Sequence, residues 1–239
     1  MGPVIIVENS PGQGAPFTRW LKRTGAGVGI WRAWLWRGGR RPGGDSSVGR
    51  FGTLRPDMIE ACTGAVFTGD FHNVTYGLLP RHERQLELLE KLDGKRVFAS
   101  CFSHQMLAEA KGGRVGRRDR RLVGWERVSF DTTSAALPDV DGFSAVCLNI
   151  DEVVEAPPGA RVLASSPNCR FHVLAYGENI LTCQSHPELS TSWPFVMTEG
   201  LGLVLGATRA LRDLRAGRQA GGEAGAVAFM RALSRWLST

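Results

Sequence analysis

Long apolar runs are missing from this 239-residue chain. None approaches the roughly 18 residues a membrane-crossing helix needs, so no span is expected. Cysteine is sparse: five occur, at 62, 101, 147, 169 and 183, with no CxxC pair among them. That scatter argues against a disulfide framework and against a zinc site, and it fits a reducing cytoplasm. The opening run Val4-Ile5-Ile6-Val7 has no basic segment before it and meets Glu8 at once, so it does not read as a secretion signal. Ile6 also breaks the N-myristoylation pattern. Lysine is scarce as well, at only four of the 29 basic residues. The formal charge of +6 is carried by dispersed arginines and reads as a solvated surface, with nucleic acid an unlikely partner. An apolar share of 43% excludes disorder over most of the length. No repeat and no break in composition divides residues 1–239, so one domain is expected.

Short apolar runs alternate with amphipathic segments. Val4 to Val7, Ala65 to Thr68 and Arg96 to Ser100 read as strands. Phe17 to Arg23, His82 to Leu92 and Ser103 to Lys111 read as helices, the last stopped by Gly112-Gly113. Strands cluster around 123–130, 144–149, 161–165, 170–176 and 179–184. Helices return near 193–216 and 224–237. Trp31, Trp34 and Trp36 precede a Gly- and Arg-rich stretch, so 37–50 reads as a flexible basic loop. The alternation in the first half predicts a parallel sheet covered on both faces.

Two places carry chemistry. Cys101 lies at a strand-to-helix junction among the small residues Ala99, Ser100 and Ser103. Such a turn exposes a nucleophile at the carboxyl edge of a sheet, near the positive end of a helix dipole, where anionic sulphur is favoured. Gln184-Ser185-His186-Pro187-Glu188 follows the strand ending at Cys183. His186 and Glu188 are two apart, so extended backbone would send both to one side, where a carboxylate can orient an imidazole that activates a thiol.

Together these residues resemble the class I glutamine amidotransferases. Ala99-Ser100-Cys101-Phe102-Ser103-His104-Gln105 is similar to their nucleophile elbow, Gly-x-Cys-x-Gly-x-Gln. Gln184 to Glu188 is similar to their Gln-x-His-Pro-Glu motif. Asp151-Glu152-Val153, with Pro157 to Ser166, resembles a further stretch of the family, and Val66-Phe67-Thr68-Gly69-Asp70 sits where its Gly-Gly oxyanion loop lies. The resemblance is strongest over 64–190 and closest to stand-alone amidotransferase domains of the GMP synthetase type. It implies a three-layer αβα, flavodoxin-like fold, a mostly parallel central sheet with a small antiparallel extension.

By this resemblance Cys101 attacks a glutamine side-chain amide, His186 serves as base and then acid, and Glu188 orients His186. Backbone N–H groups of Gly69 and Phe102 form the oxyanion hole. Gln105 holds substrate, and Asp70, Ser103 and Asn149 complete the expected pocket. No metal or organic cofactor is implied. About 50 residues follow Glu188, so ammonia would pass to a separate synthase chain. The alternatives are a stand-alone γ-glutamyl hydrolase or peptidase, a biosynthetic enzyme for another amide or ester, or an inactive binding protein using basic segment 31–50. Departures motivate the altered-substrate alternative: Ser103 and Ala99 replace family glycines, Asp70 replaces a loop glycine, and Leu148-Asn149-Ile150 stands where many relatives have Ser-His-Gly. Ser103 in particular adds bulk where substrate or backbone passes.

Overall fold

The structure is a computed structural model and describes residues 2–10, 13–23, 25, 27–32, 56–131, 137, 139–191 and 223–239. In chain order its elements are β1 (Val4–Glu8), α1 (Gly14–Arg23), β2 (Val28–Arg32), α2 (Pro56–Ala61), β3 (Gly64–Phe67), α3 (Pro80–Lys91), β4 (Arg96–Ser100), α4 (Phe102–Ala110), β5 (Arg114–Phe130), β6 (Gly142–Glu155), β7 (Arg161–Ser166), β8 (Cys169–Tyr176), β9 (Ile180–Cys183) and α5 (Glu223–Ser238). Single 3-10 turns occupy Val74–Tyr76 and Pro187–Thr191. The nine strands form one sheet in the order β2-β1-β3-β4-β9-β8-β7-β5-β6. The first five run parallel, and β8, β7, β5 and β6 continue the sheet antiparallel.

The apolar run of β1 is continuous because helices cover both of its faces. Val4 and Ile6 pack with Phe17, Trp20 and Leu21 of α1 and Phe229 and Leu233 of α5. Ile5 and Val7 pack on the opposite face with Leu88 of α3 and with Leu92 just beyond it. Each fully buried aliphatic side chain of this kind contributes roughly 1.5–3 kcal/mol. The architecture is therefore the expected three-layer α/β fold. Its antiparallel part is larger than expected, with four strands and a long β5–β6 hairpin.

The strands expected at 123–130 and 144–149 are parts of β5 and β6, but the first half of β5 is hidden in the sequence because Arg114 to Arg121 is mostly exposed and lacks apolar alternation. Its arginines instead pair across the ladder, Arg114 with Glu155 and Arg118 with Glu152. Strand β2 and helix α2 are further elements at the edge. The tryptophan-rich stretch enters the structure only through β2, and the basic loop 37–50 and the helix expected at 193–216 lie outside the described residues. The helix expected at 224–237 is α5. Among the described residues, no helix is long and apolar enough to cross a membrane, and all five cysteines are free and buried.

Because β1, β3, β4 and β9 are parallel, their carboxyl ends share one edge of the sheet, the usual place for a site in open α/β folds. Asn9, Gly69, Cys101 and Gln184-Ser185-His186 all emerge there.

Two buried histidines make the fold acid-sensitive. Burial, with His172 close by, holds His104 down at about 3, and burial with Arg118 nearby does the same to His172. Both are neutral in the folded protein at pH 7, whereas the unfolded chain takes up their protons near 6.5. The unfolded state thus binds more protons as pH falls, so their stabilising effect is complete above about pH 6.5 and is lost progressively below it. The melting temperature should fall between about pH 6.5 and 5, before most carboxylates titrate. The double variant His104→Gln/His172→Gln should show a flatter slope, and a wild-type slope already flat there would contradict the argument.

Candidate active site

The chain turns from β4 into α4 at Cys101, which has φ 51° and ψ −110°. Among the described residues it is the one non-glycine with positive φ. A side chain in that region costs of order 1–3 kcal/mol, so the surroundings must hold it. They do: Cys101 N–H donates to Cys183 O at 2.8 Å, and Cys101 O accepts from Gln105 N–H at 3.1 Å. The first bond ties the nucleophile to the end of β9, and the second opens α4. The Cys101 side chain is buried.

The end of β9 supplies the partner groups. Gln184 N–H donates to His172 O at 2.8 Å and His186 N–H to Val146 O at 2.7 Å, so the imidazole is mounted between β8 and β6. Glu188 meets His186 as expected, but not through extended backbone. Pro187 starts a 3-10 turn, and its curl brings Glu188 Oε1 back to accept from His186 Nδ1 at 2.7 Å. Proline at the first position suits such a turn, because its fixed φ is close to helical. The bond assigns a proton to Nδ1. Burial disfavours a charged His186, but Cys101 and the Glu188 carboxylate beside it outweigh that, and its pKa lies well above the ordinary imidazole value.

Gly69 closes the site. A Cβ there would lie 3.0 Å from His186 Cε1 and 3.4 Å from Cys101 Cβ, so a side chain at this position would crowd both residues. Phe102 is the first residue of α4, and its N–H belongs to the first turn, which has no acceptor within the helix.

Asp70 lines the cleft beside Cys101, yet its carboxylate is turned inward. Oδ1 accepts from Ser10 Oγ at 2.8 Å and from His72 N–H at 3.3 Å, and Oδ2 accepts from Arg81 at 3.0 Å and His82 Nε2 at 3.0 Å. Leu79 N–H donates to His82 Nδ1, which assigns the proton to Nε2. Burial works against the Asp70 charge, but the bonds from His82, Arg81 and Ser10 win and hold its carboxyl at about 2. The carboxylate expected to bind substrate is thus engaged by the protein itself. Its acceptor sites are filled, and it anchors the Gly69 loop to α3. The His82 ring also packs on Phe102 at 4.5 Å, so one network touches both the Gly69 loop and the start of α4.

Ser103 is likewise engaged by the protein. It is fully buried away from the cleft, donating to Thr68 O at 2.7 Å and accepting from Asn9 Nδ2 at 3.0 Å. Its bulk meets backbone and not substrate. Gln105 and Asn149 do line the cleft. Their side-chain amides both donate to Asp151 O, at 2.6 and 2.9 Å, and Asn149 Oδ1 is buried without a partner among the described residues. Gln184 has no role assigned from sequence. Its Oε1 accepts from Gln105 at 3.1 Å, and its Nε2 lies 3.9 Å from Cys101 Sγ. Its place directly before the His-Pro-Glu run is the available signal. Asn9, Arg81 and His82 stand in no motif and become visible only through the fold.

The parallel sheet edge thus brings together Cys101 at its turn, the His186–Glu188 pair and the backbone of Gly69. The chain belongs to the glutamine amidotransferase class-I family, whose profile matches residues 55–193. It is similar to gamma-glutamyl peptidase 5 of Arabidopsis thaliana, 36% identical over 110 residues that cover 42% of this chain and 44% of that protein. It is also similar to one of the subunits of the glutamine-hydrolysing GMP synthase of Saccharolobus solfataricus, 40% identical over 95 residues covering 37% and 48%. The chain spans about half the length of these curated relatives. The crystal structure of a glutamine amidotransferase from Methylobacillus flagellatus shares the fold, with a TM-score of 0.73 at 20% identity over 99% of this chain and 96% of that one.

Since Ser103 faces backbone, Ser103→Gly should lower stability by about 1 kcal/mol through its lost hydrogen bonds. KM for an amide substrate should stay within about twofold, because Ser103 makes no contact with the cleft. Melting and steady-state kinetics on one preparation check both, and raised turnover would restore the substrate-facing reading.

Proposed function

We propose that the chain hydrolyses the side-chain amide of glutamine, or a related γ-glutamyl amide, through a thioester on Cys101. The observation that carries this is the strained Cys101 elbow set against the His186–Glu188 pair. His186 holds the proton of the thiol beside Cys101, and the sulphur attacks the γ-carbonyl. Negative charge collects on the former carbonyl oxygen, where the N–H groups of Gly69 and Phe102 stabilise it. The intermediate collapses as His186 passes its proton to the departing nitrogen, releasing ammonia or an amine and leaving a γ-glutamyl thioester. Water, deprotonated by the same imidazole, then frees glutamate and restores the thiol.

Ammonia released here would serve a separate synthase chain, a reading supported by the likeness to part of a GMP synthase. A second reading, a γ-glutamyl peptidase acting alone, is favoured by the likeness to gamma-glutamyl peptidases. The Asp70 network bears on the same point. A Gly69 loop already braced to α3 does not need a docking partner to set it. The alternative of an inactive binding protein rests on segment 31–50, of which the structure describes only the first two residues. The intact triad argues against it. The free cysteines fit work in a reducing cytoplasm.

Glutamate release from L-glutamine and from γ-glutamyl peptides tests the proposal. Cys101→Ala should abolish it, and Glu188→Gln should lower kcat by about 100-fold or more with little change in KM, since Glu188 acts only on His186. Release that survives Cys101→Ala in purified protein would overturn the proposal.

A further inference from the structure

The ladder between β5 and β6 breaks beside the cleft. Arg117 pairs with Asp151 and Leu122 with Asn149, so four residues of β5, 118 to 121, stand opposite the single residue Ile150. Bulges of this kind beside an active site re-aim a side chain. Here the excess residues place Arg121 in the wall of the cleft that holds Cys101 and His186.

The neighbouring arginines are already engaged. Arg114 pairs with Glu155, and Arg118 pairs with Glu152 while donating to Asn168 O. Arg117 reaches Asp151 Oδ1 at 3.5 Å and lies over the Tyr76 ring at 5.0 Å. Arg121 is exposed and has no ion pair among the described residues. The carboxylates of the cleft wall are engaged too: Asp70 with Arg81 and His82, Asp151 with Thr75 and Arg117, and Glu188 with His186. Among the described residues, Arg121 is therefore the one lysine or arginine lining the cleft, and no acid of the cleft wall neutralises it. A guanidinium presented this way matches a carboxylate, to which it can donate two parallel bonds.

We propose that Arg121 binds a carboxylate of the γ-glutamyl donor and so sets the substrate class, an amide that carries a free acid within reach of the cleft rim. The inference rests on the γ-glutamyl amidase reading above. That acid is either the α-carboxylate of the glutamyl group or a carboxylate on the departing amine, as in a γ-glutamyl peptide. The chemistry of recognition is the same, and the donors tested tell the two apart.

The test compares wild type, Arg121→Gln and Arg121→Lys on three donors: γ-glutamylglycine, γ-glutamylglycinamide and the α-amide of glutamine. Arg121→Gln should raise KM for carboxylate-bearing donors by about tenfold, as expected for one charge-assisted contact. Its kcat should stay within about twofold, and Arg121→Lys should recover much of the loss. A penalty confined to γ-glutamylglycine assigns the departing-amine carboxylate. A penalty shared with γ-glutamylglycinamide but absent for the α-amide of glutamine assigns the α-carboxylate. Either result supports the proposal. Unchanged KM in Arg121→Gln, or an equal rise for the donor that lacks any carboxylate, overturns it while leaving the amidase reading intact. Failure of the wild-type protein to hydrolyse any of the three donors overturns that reading, and the inference falls with it.

Discussion

The hydrogen bond from Cys101 N–H to Cys183 O, at 2.8 Å, is the constraint from which the site is built. It holds a cysteine at φ 51° where the backbone would otherwise relax. It also joins the end of β4 to the end of β9, and β9 is the strand that leads into His186. Cys101 and His186 are thereby held at one sheet edge, although they lie far apart in the sequence. The parallel order β1-β3-β4-β9 is what makes this bond available. The apolar faces of β1, packed on α1 and α5 on one side and on α3 on the other, keep that order fixed.

Three layers of support stand behind the reacting atoms. Glu188 fixes the tautomer of His186, and Val146 O holds its backbone. The Asp70 network braces the Gly69 loop to α3 and, through the His82 ring, touches Phe102. Asp151 O gathers the side-chain amides of Gln105 and Asn149, while Gln184 bridges Gln105 toward the sulphur. Rigidity of this kind matters because oxyanion donors act only when they already point at the place where charge develops. The residues that depart from the family pattern at 70 and 103 fit the same logic. Each adds a polar side chain that finds partners in the surrounding backbone and network, Asp70 in the cleft wall and Ser103 behind it.

Much of this is legible in the sequence where local rules decide. The parallel core follows from short apolar runs alternating with amphipathic helices, and the elbow from small residues around Cys101. The His186–Glu188 contact is readable from the two-residue spacing, although a 3-10 turn at Pro187 delivers it in place of a strand. What stays hidden depends on contacts between distant segments. The first half of β5 is held by cross-strand ion pairs that leave no hydrophobic period. The inward turn of Asp70 depends on Arg81 and His82, a helix away. The burial of Ser103 depends on Asn9, nearly a hundred residues earlier. Sequence can mark positions 70 and 103 as unusual, but not the direction in which their side chains point.

The central claim is that Cys101 forms a covalent γ-glutamyl intermediate. Rapid acid quenching during turnover of L-glutamine or a γ-glutamyl peptide, followed by mass spectrometry of the peptide that contains Cys101, tests it most directly. The account predicts a γ-glutamyl adduct on Cys101, accumulating further in a Glu188→Gln variant if its second step is slowed more than its first, and absent from Cys101→Ala. Turnover with no adduct on Cys101 at any quench time, or an adduct on another residue, would contradict it.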